Sequence, residues 1–269
     1  MPAYRDGRHE FGQNFLTDRR TVDTIVDLVS RTAGPIVEIG PGHGAVTLPL
    51  QTLRRPITAV EIDRRCVSVL RRRVEPATTV VHDDFLRYRL PRRPHTIVGN
   101  LPFHQTTAIL RRLLHTEHWT SAVLLVQWEV ARRRAGVGGA TMMTAQWWPW
   151  YDFALVDRVP ATAFTPCPGV DGGLLTVMRR PDPLVDPAAR GRYSSFVHAV
   201  FTGRGHGLSQ ILSRVCDRHT RPAVGKWLAR QRFRRAPLPR DLSAEQWAAV
   251  FEIVDRGSGA AVERSGRGL

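Results

Sequence analysis

The 269-residue sequence predicts an α/β chain: a doubly wound, mostly parallel sheet of seven strands, followed by a small all-helical domain. Two patterns carry this. From Pro35 to Met178 short apolar runs alternate with amphipathic stretches, as βαβ units of a Rossmann-like sheet require. Beyond the Pro-rich stretch Arg179-Arg180-Pro181-Asp182-Pro183, only helical periodicity remains.

Taken in order, Pro35 to Ile39 reads as a buried strand, Gly40 to Gly44 as a loop, and Val46 to Leu53 as a helix. Ile57 to Glu61 is a second strand, Arg64 to Val74 a helix, and Thr78 to Val81 a third strand. Thr96 to Gly99 is a fourth, followed by a helix over Thr107 to Leu114, and Ala122 to Val126 is a fifth. Phe153 to Val159 and Leu174 to Met178 finish the sheet, with Pro160 to Gly173, rich in Pro and Gly, as a loop between them. Helices are expected over Arg192 to Phe201, Leu208 to Arg218 and Ala223 to Arg230. A last helix starts at the capping box Ser243-Ala244-Glu245-Gln246, with Trp247, Val250, Phe251 and Val254 on one face. The expected organisation is a basic arm over 1–16, the sheet domain over 17–180, the helical domain over 181–256 and a flexible Gly/Ser/Arg-rich tail over 257–269.

A hydrophobic share of 42% allows a sizeable core. No apolar run is long enough to cross a bilayer, and Met1 to Leu16 lacks the apolar stretch of a secretory signal. Three scattered cysteines, Cys66, Cys167 and Cys216, argue against a disulfide framework and for the cytoplasm. The net charge of +15 points to a polyanionic partner, above all nucleic acid. Of 39 basic residues only Lys226 is lysine, which suits bidentate phosphate contacts and base stacking but also follows from a GC-rich genome.

Glu38-Ile39-Gly40-Pro41-Gly42-His43-Gly44 follows the first strand, where open α/β sheets bind ligands. Its glycines let a ligand approach the backbone, although turn glycines serve structure as often. The spacing is G-x-G-x-G, not the G-x-G-x-x-G of dinucleotide sites, and Glu38 suits a cationic amino-acid group better than a pyrophosphate. Glu61 ends the second strand, where a carboxylate accepts hydrogen bonds from both hydroxyls of a ribose. Asp84 follows the third strand and can accept from an adenine amine, or simply cap a turn. The residues next to these two, Ile62 and Phe85, belong with them in the cofactor-binding set.

Asn100-Leu101-Pro102-Phe103 follows the fourth strand and is the sharpest signal in the chain. An exocyclic adenine amine is a poor nucleophile because its lone pair is delocalised into the ring. Accepting both of its hydrogens favours a more pyramidal, localised nitrogen. The Asn100 side-chain oxygen can accept one, and a main-chain carbonyl at or near Leu101 the other. Pro102 stiffens the turn, and Phe103 offers a face on which a flipped-out base can stack. The plain alternative is an ordinary Asn-x-Pro turn with a core Phe.

The order Gly12-Gln13-Asn14-Phe15-Leu16, Glu38 to Gly44, Glu61, Asp84 and Asn100 to Phe103 resembles the ribosomal RNA adenine N6-methyltransferases. Gly138 to Met143 with Trp147-Trp148-Pro149-Trp150, Phe164 to Val170, and Phe196 to Gly205 are similar to the erythromycin-resistance (Erm) branch. The resemblance runs from about Gly12 to Leu212. It implies the S-adenosylmethionine methyltransferase fold, with S-adenosyl-L-methionine as cofactor. Gln13, Asn14 and Leu16 would lie over the cofactor, and Glu38, Gly40, Gly42, Glu61, Asp84 and Asn100 would hold it. Asn100 would orient the target amine, Phe103 would stack on its base, and Phe164 would lie on the other side of that base or near the methyl. The implied target is one adenine at the macrolide site of 23S rRNA, in naked or precursor large subunits; nothing in the sequence demands a subunit interface, so a monomer is expected. Residues 17–180 would be the catalytic domain and 181–256 an RNA-binding one. Two positions depart from the pattern: Phe103 stands where many relatives carry tyrosine, and Asp171 where a small hydroxyl residue is common.

Arg71, Arg72, Arg132, Arg133 and Arg134, with Arg5 and Arg8 in the arm, are candidate RNA contacts, although charge runs usually form solvated helix faces. The ten histidines show no metal-ligand spacing, so no metal is expected. The Trp147-Trp148-Trp150 cluster reads as core and sheet-edge packing rather than a base platform. Three other functions compete: a small-subunit rRNA adenine dimethyltransferase, a DNA adenine methylase, and a non-catalytic RNA-binding assembly factor.

Overall fold

The computed structural model describes residues 14–265 apart from Arg234. Arg5, Arg8 and Gln13 therefore lie outside the described residues. In chain order the elements are β1 (Phe15–Leu16), α1 (Arg19–Ser30), β2 (Ile36–Ile39), α2 (Thr47–Leu50), β3 (Ile57–Glu61), α3 (Arg64–Leu70), β4 (Thr78–His82), β5 (His95–Asn100) and α4 (Thr106–Leu114). There follow β6 (Trp119–Gln127), α5 (Trp128–Arg134), α6 (Met142–Trp147), β7 (Tyr151–Val159), β8 (Phe164–Thr165) and β9 (Gly172–Arg179). Four helices complete the chain: α7 (Arg190–Thr202), α8 (Leu208–Val215), α9 (Arg221–Arg230) and α10 (Ala244–Ser265).

The chain divides into two compact units, one of residues 1–132 and 154–179, the other of 133–153 and 180–269. The sequence reading put its boundary at 180/181; the contacts begin the helical part at Arg180 and add 133–153 to it.

The seven-stranded sheet runs in the order β4-β3-β2-β5-β6-β9-β7. The pairs β3·β4, β2·β3, β2·β5 and β5·β6 are parallel, and β9 runs antiparallel to β6. Strand order reverses at β2, whose Ile39 lies opposite Gly99 of β5. A crevice outside the carboxyl ends of two such strands is where doubly wound sheets take ligands. All four residues of β2 are buried, as expected for a strand covered on both faces.

Helix α1 was not anticipated, although its signals are local. Asp18 caps it, accepting the Thr21 amide at 2.8 Å and the Thr21 hydroxyl at 2.6 Å, and these bonds hold the Asp18 carboxyl below its ordinary pKa. Val22, Ile25 and Val29 recur at helical spacing and sink into the core with Ile36, Ile57, Val98 and Leu125. Burying each such side chain contributes about 1.5–3 kcal/mol. The expected loop over Pro160 to Gly173 contains a short strand, β8, which pairs antiparallel with β1: Phe15 lies opposite Thr165 and Leu16 opposite Phe164. Two-residue strands leave no period to read.

The helical unit is built on aromatic contacts. Tyr193 of α7 meets Trp150 edge-on at 5.4 Å and Phe251 of α10 at 5.1 Å, and its hydroxyl donates to the Ala145 carbonyl at 2.8 Å. Arg190 lies over Trp147 and Trp150, both buried, so these tryptophans form the core of this unit. The capping box at Ser243 is present: the Ser243 hydroxyl accepts the Gln246 amide at 3.2 Å and Gln246 Oε1 accepts the Ser243 amide at 2.9 Å. Helix α10 continues beyond Gly257, where a tail was expected; Ala260, Ala261, Glu263 and Arg264 are good helix formers.

Candidate active site

The carboxyl ends of β2, β3 and β5 and the segments that follow β4 and β5 line one open cavity. Asn14, Gly40, Gly42, Glu61, Ile62, Asp84, Phe85, Asn100, Leu101, Pro102 and Phe103 all line it. Eleven candidate residues from five separate stretches of sequence thus meet around one space.

Gly40 has φ +61°, and a Cβ built there would meet only the Asn100 carbonyl oxygen, at 3.9 Å. The backbone itself is the cavity wall, and a side chain would fill ligand space. Gly42 has φ +56°, and its missing Cβ would strike the Phe15 ring at 2.8 Å. Phe15 in turn stacks on His43 with ring centroids 4.8 Å apart. Glu61 is 1% exposed; its Oε2 accepts the Gly42 amide at 2.9 Å and its Oε1 the Asp63 amide at 2.8 Å. Burial raises its pKa, and those amides pull it back down. Each carboxylate oxygen retains a free lone pair.

Asp84 does cap a turn, with Oδ1 accepting the Leu86 amide at 2.9 Å, and its Oδ2 lies 4.0 Å from Arg87. It lines the cavity as well, so the two readings of this residue coexist. Arg112 of α4 holds the same loop: its guanidinium donates to the carbonyls of Phe85 and Tyr88 and lies over the Phe85 ring at 5.2 Å.

Asn100 ends β5, opposite Leu125 of β6. Its Nδ2 donates to the Asn14 carbonyl at 2.7 Å, which fixes the carboxamide and leaves Oδ1 with no donor among the described residues. The Pro102 carbonyl is engaged by the Gln105 amide at 2.9 Å and the Thr106 hydroxyl at 3.3 Å. The Leu101 amide donates to Leu125, while no described residue donates to the Leu101 carbonyl.

Three expected site residues fall elsewhere. Glu38 does not line the cavity; it is 2% exposed, burial pushes its pKa up to about 8, and its Oε2 has no hydrogen-bond partner. Leu16 and Phe164 are buried in the hydrophobic core because β1 pairs with β8. Phe164 meets Phe103 edge-on, centroids 6.3 Å apart, leaving no flat gap between the two rings for a base. Among the arginines, Arg71 donates to the Val80 carbonyl, Arg132 pairs with Glu129 at 3.0 Å, and Arg134 donates to the Thr141 hydroxyl at 2.8 Å; Arg72 and Arg133 are exposed.

The cavity also takes in Phe15, Ile39, Val60, Asp83, Gln105 and Ile109, none of them among the candidate site residues of the sequence. Ile39 and Val60 lie at strand ends beside residues that were named, so position alone could have flagged them.

The family model for ribosomal RNA adenine dimethylases matches residues 5–255. An rRNA adenine N-6-methyltransferase of Corynebacterium diphtheriae is 56% identical over 81% of this chain and 87% of its own. The mycinamicin-resistance protein MyrB of Micromonospora griseorubida is 50% identical over 92% of this chain and 79% of its own. The crystal structure of the 23S rRNA methyltransferase ErmE superposes with a TM-score of 0.82 at 33% identity, covering 90% of this chain and 100% of that one.

Proposed function

The chain belongs to the ribosomal RNA adenine dimethylase family, and from that premise we propose that it methylates N6 of one adenine in 23S rRNA. The target lies in the macrolide-binding region of the peptidyl transferase loop, and its modification in the cytoplasm confers resistance to macrolides, lincosamides and streptogramin B. The donor is S-adenosyl-L-methionine, and the cavity fits it. The Gly40 backbone forms a wall that a Cβ would obstruct, and Glu61 keeps lone pairs for ribose hydroxyls. Asp84 would accept from the adenine amine, with Ile62 and Phe85 as apolar walls. When bound, the donor supplies an electrophilic methyl on a sulfonium.

The observation that carries this reading is the fixed carboxamide of Asn100, held through Nδ2 so that Oδ1 is left for a donor in the cavity. A target adenine amine gives one hydrogen to Asn100 Oδ1 and the other to the Leu101 carbonyl, the acceptor of this turn that no described residue occupies. Both acceptors are in place before the reaction, so no reorganisation is needed as charge develops on nitrogen. Phe103 offers its ring to the flipped base. A net charge of +15 favours the polyanionic substrate.

Transfer of labelled methyl to naked 23S rRNA, with the modified nucleotide mapped by mass analysis, tests this. Label on a single adenine of the macrolide site is expected. Label on small-subunit rRNA alone would reassign the substrate, and donor binding without transfer would favour an assembly factor.

A further inference from the structure

A second groove opens at the end of β6 between Trp128, Arg158 and Asp171. Asn100 lies opposite Leu125 on neighbouring parallel strands, so both strands end on the same edge of the sheet. Gln127 is two residues beyond Leu125, which puts it roughly 8 Å from Asn100 by strand spacing and rise.

The groove is built for a flat, uncharged ring. The Arg158 guanidinium lies over the Trp128 ring at 5.2 Å. Asp171 holds it there: Oδ2 accepts Arg158 Nε at 2.8 Å while Oδ1 accepts the Ala161 amide at 2.9 Å. Both Asp171 carboxylate oxygens are engaged in this clamp. Trp128 is itself fixed, with its amide donating to the Asp171 carbonyl at 2.9 Å, and a Cβ on Gly173 would come within 3.3 Å of its Cα. The Gln127 carboxamide, half-buried at the rim, has no partner among the described residues and can pair with a base edge. Arg158 is balanced by Asp171 and Glu129 by Arg132, so the groove favours a neutral base over a phosphate. Stacked aromatic and guanidinium planes are what single-stranded nucleic acids use as platforms.

We propose that this groove receives the base of a nucleotide adjoining the target adenine, stacked on the Trp128–Arg158 pair and read at its edge by Gln127. The inference rests on the functional reading above: an adenine drawn into the catalytic cavity brings its chain neighbours to this edge of the sheet.

The test uses the full-length protein and a 23S rRNA hairpin containing the target, with each neighbouring nucleotide replaced in turn by an abasic one. In the wild type, one replacement should raise the KM for RNA about tenfold or more, leaving kcat and S-adenosylhomocysteine affinity within twofold. Trp128→Ala should raise KM by a similar factor, and the same abasic replacement should then cost nothing further. Trp128→Phe should recover most of the loss. Arg158→Ala, on an exposed side chain, provides the same comparison if Trp128→Ala does not fold. Unchanged KM in both alanine variants, or abasic losses as large in the variants as in the wild type, overturns the subsite alone. Failure of the wild type to methylate the intact hairpin overturns the functional reading.

Discussion

Asn100 donates its side-chain amide to the Asn14 carbonyl at 2.7 Å, joining two residues 86 positions apart. The bond decides which end of the carboxamide faces the cavity. Asn100→Ala should leave S-adenosylhomocysteine affinity within about threefold and lower turnover about 10²–10³-fold, the cost of one preorganised contact to the reacting group. Titration calorimetry and single-turnover methyl transfer measure the two. Equal losses in both would remove Asn100 from the chemistry and leave it a cofactor contact.

Glu38 predicts a pH dependence of stability. Burial raises its folded pKa from 4.5 to about 8, so the folded chain keeps a proton that the unfolded chain releases. The stability this contributes is complete below about pH 4.5 and is lost as pH rises to about 8, at about 1.4 kcal/mol per pH unit. Glu38→Gln, which has no proton to lose, should therefore melt higher than the wild type at pH 8 and close to it at pH 5, with cofactor affinity unchanged. Parallel melting curves across that range would show that this carboxyl does not titrate as its burial demands.

Gly42→Ala should destabilise the protein by about 1–3 kcal/mol, because the position has φ +56° and the new methyl would displace the Phe15 ring from its stack on His43. Cofactor affinity should fall with it, since Gly42 also donates to Glu61. Calorimetric melting with and without S-adenosylhomocysteine reads both effects, and a variant as stable as the parent would mean that Phe15 yields freely.

Arg112→Met keeps an apolar stem against Phe85 but removes the donors to the Phe85 and Tyr88 carbonyls. The loop that carries Asp84 should loosen. About a tenfold weaker affinity for S-adenosylhomocysteine is expected, with turnover at saturating donor close to that of the wild type. Unchanged affinity would make Arg112 a packing residue.

Strand and helix identity was legible where periodic runs were long. The apolar runs ending at Glu61 and at Gly99 were read with boundaries within one residue of β3 and β5, because strands buried on both faces contrast sharply with their flanks. The β1·β8 pair was not, since two residues carry no period, and that pair is what draws Leu16 and Phe164 into the core. Glu38 shows the same limit from the other side. A carboxylate two residues before a glycine loop reads as a ligand contact, and only three-dimensional packing reveals that it is buried beside the cavity and does not line it.

What the sequence determined by itself is the set of parts: a glycine loop after one strand, an acidic residue at the end of the next, a polar turn after another, and the surplus of positive charge. Local chemistry and hydrophobic alternation suffice for these, because each depends on residues a few positions apart. Tertiary structure decided adjacency. The placing of β5 beside β2, which brings Gly40 to Asn100, and the return of Asn14 to meet that turn both depend on strand order and long-range closure. No periodic pattern encodes which strands become neighbours; that choice is made when the buried faces pack together.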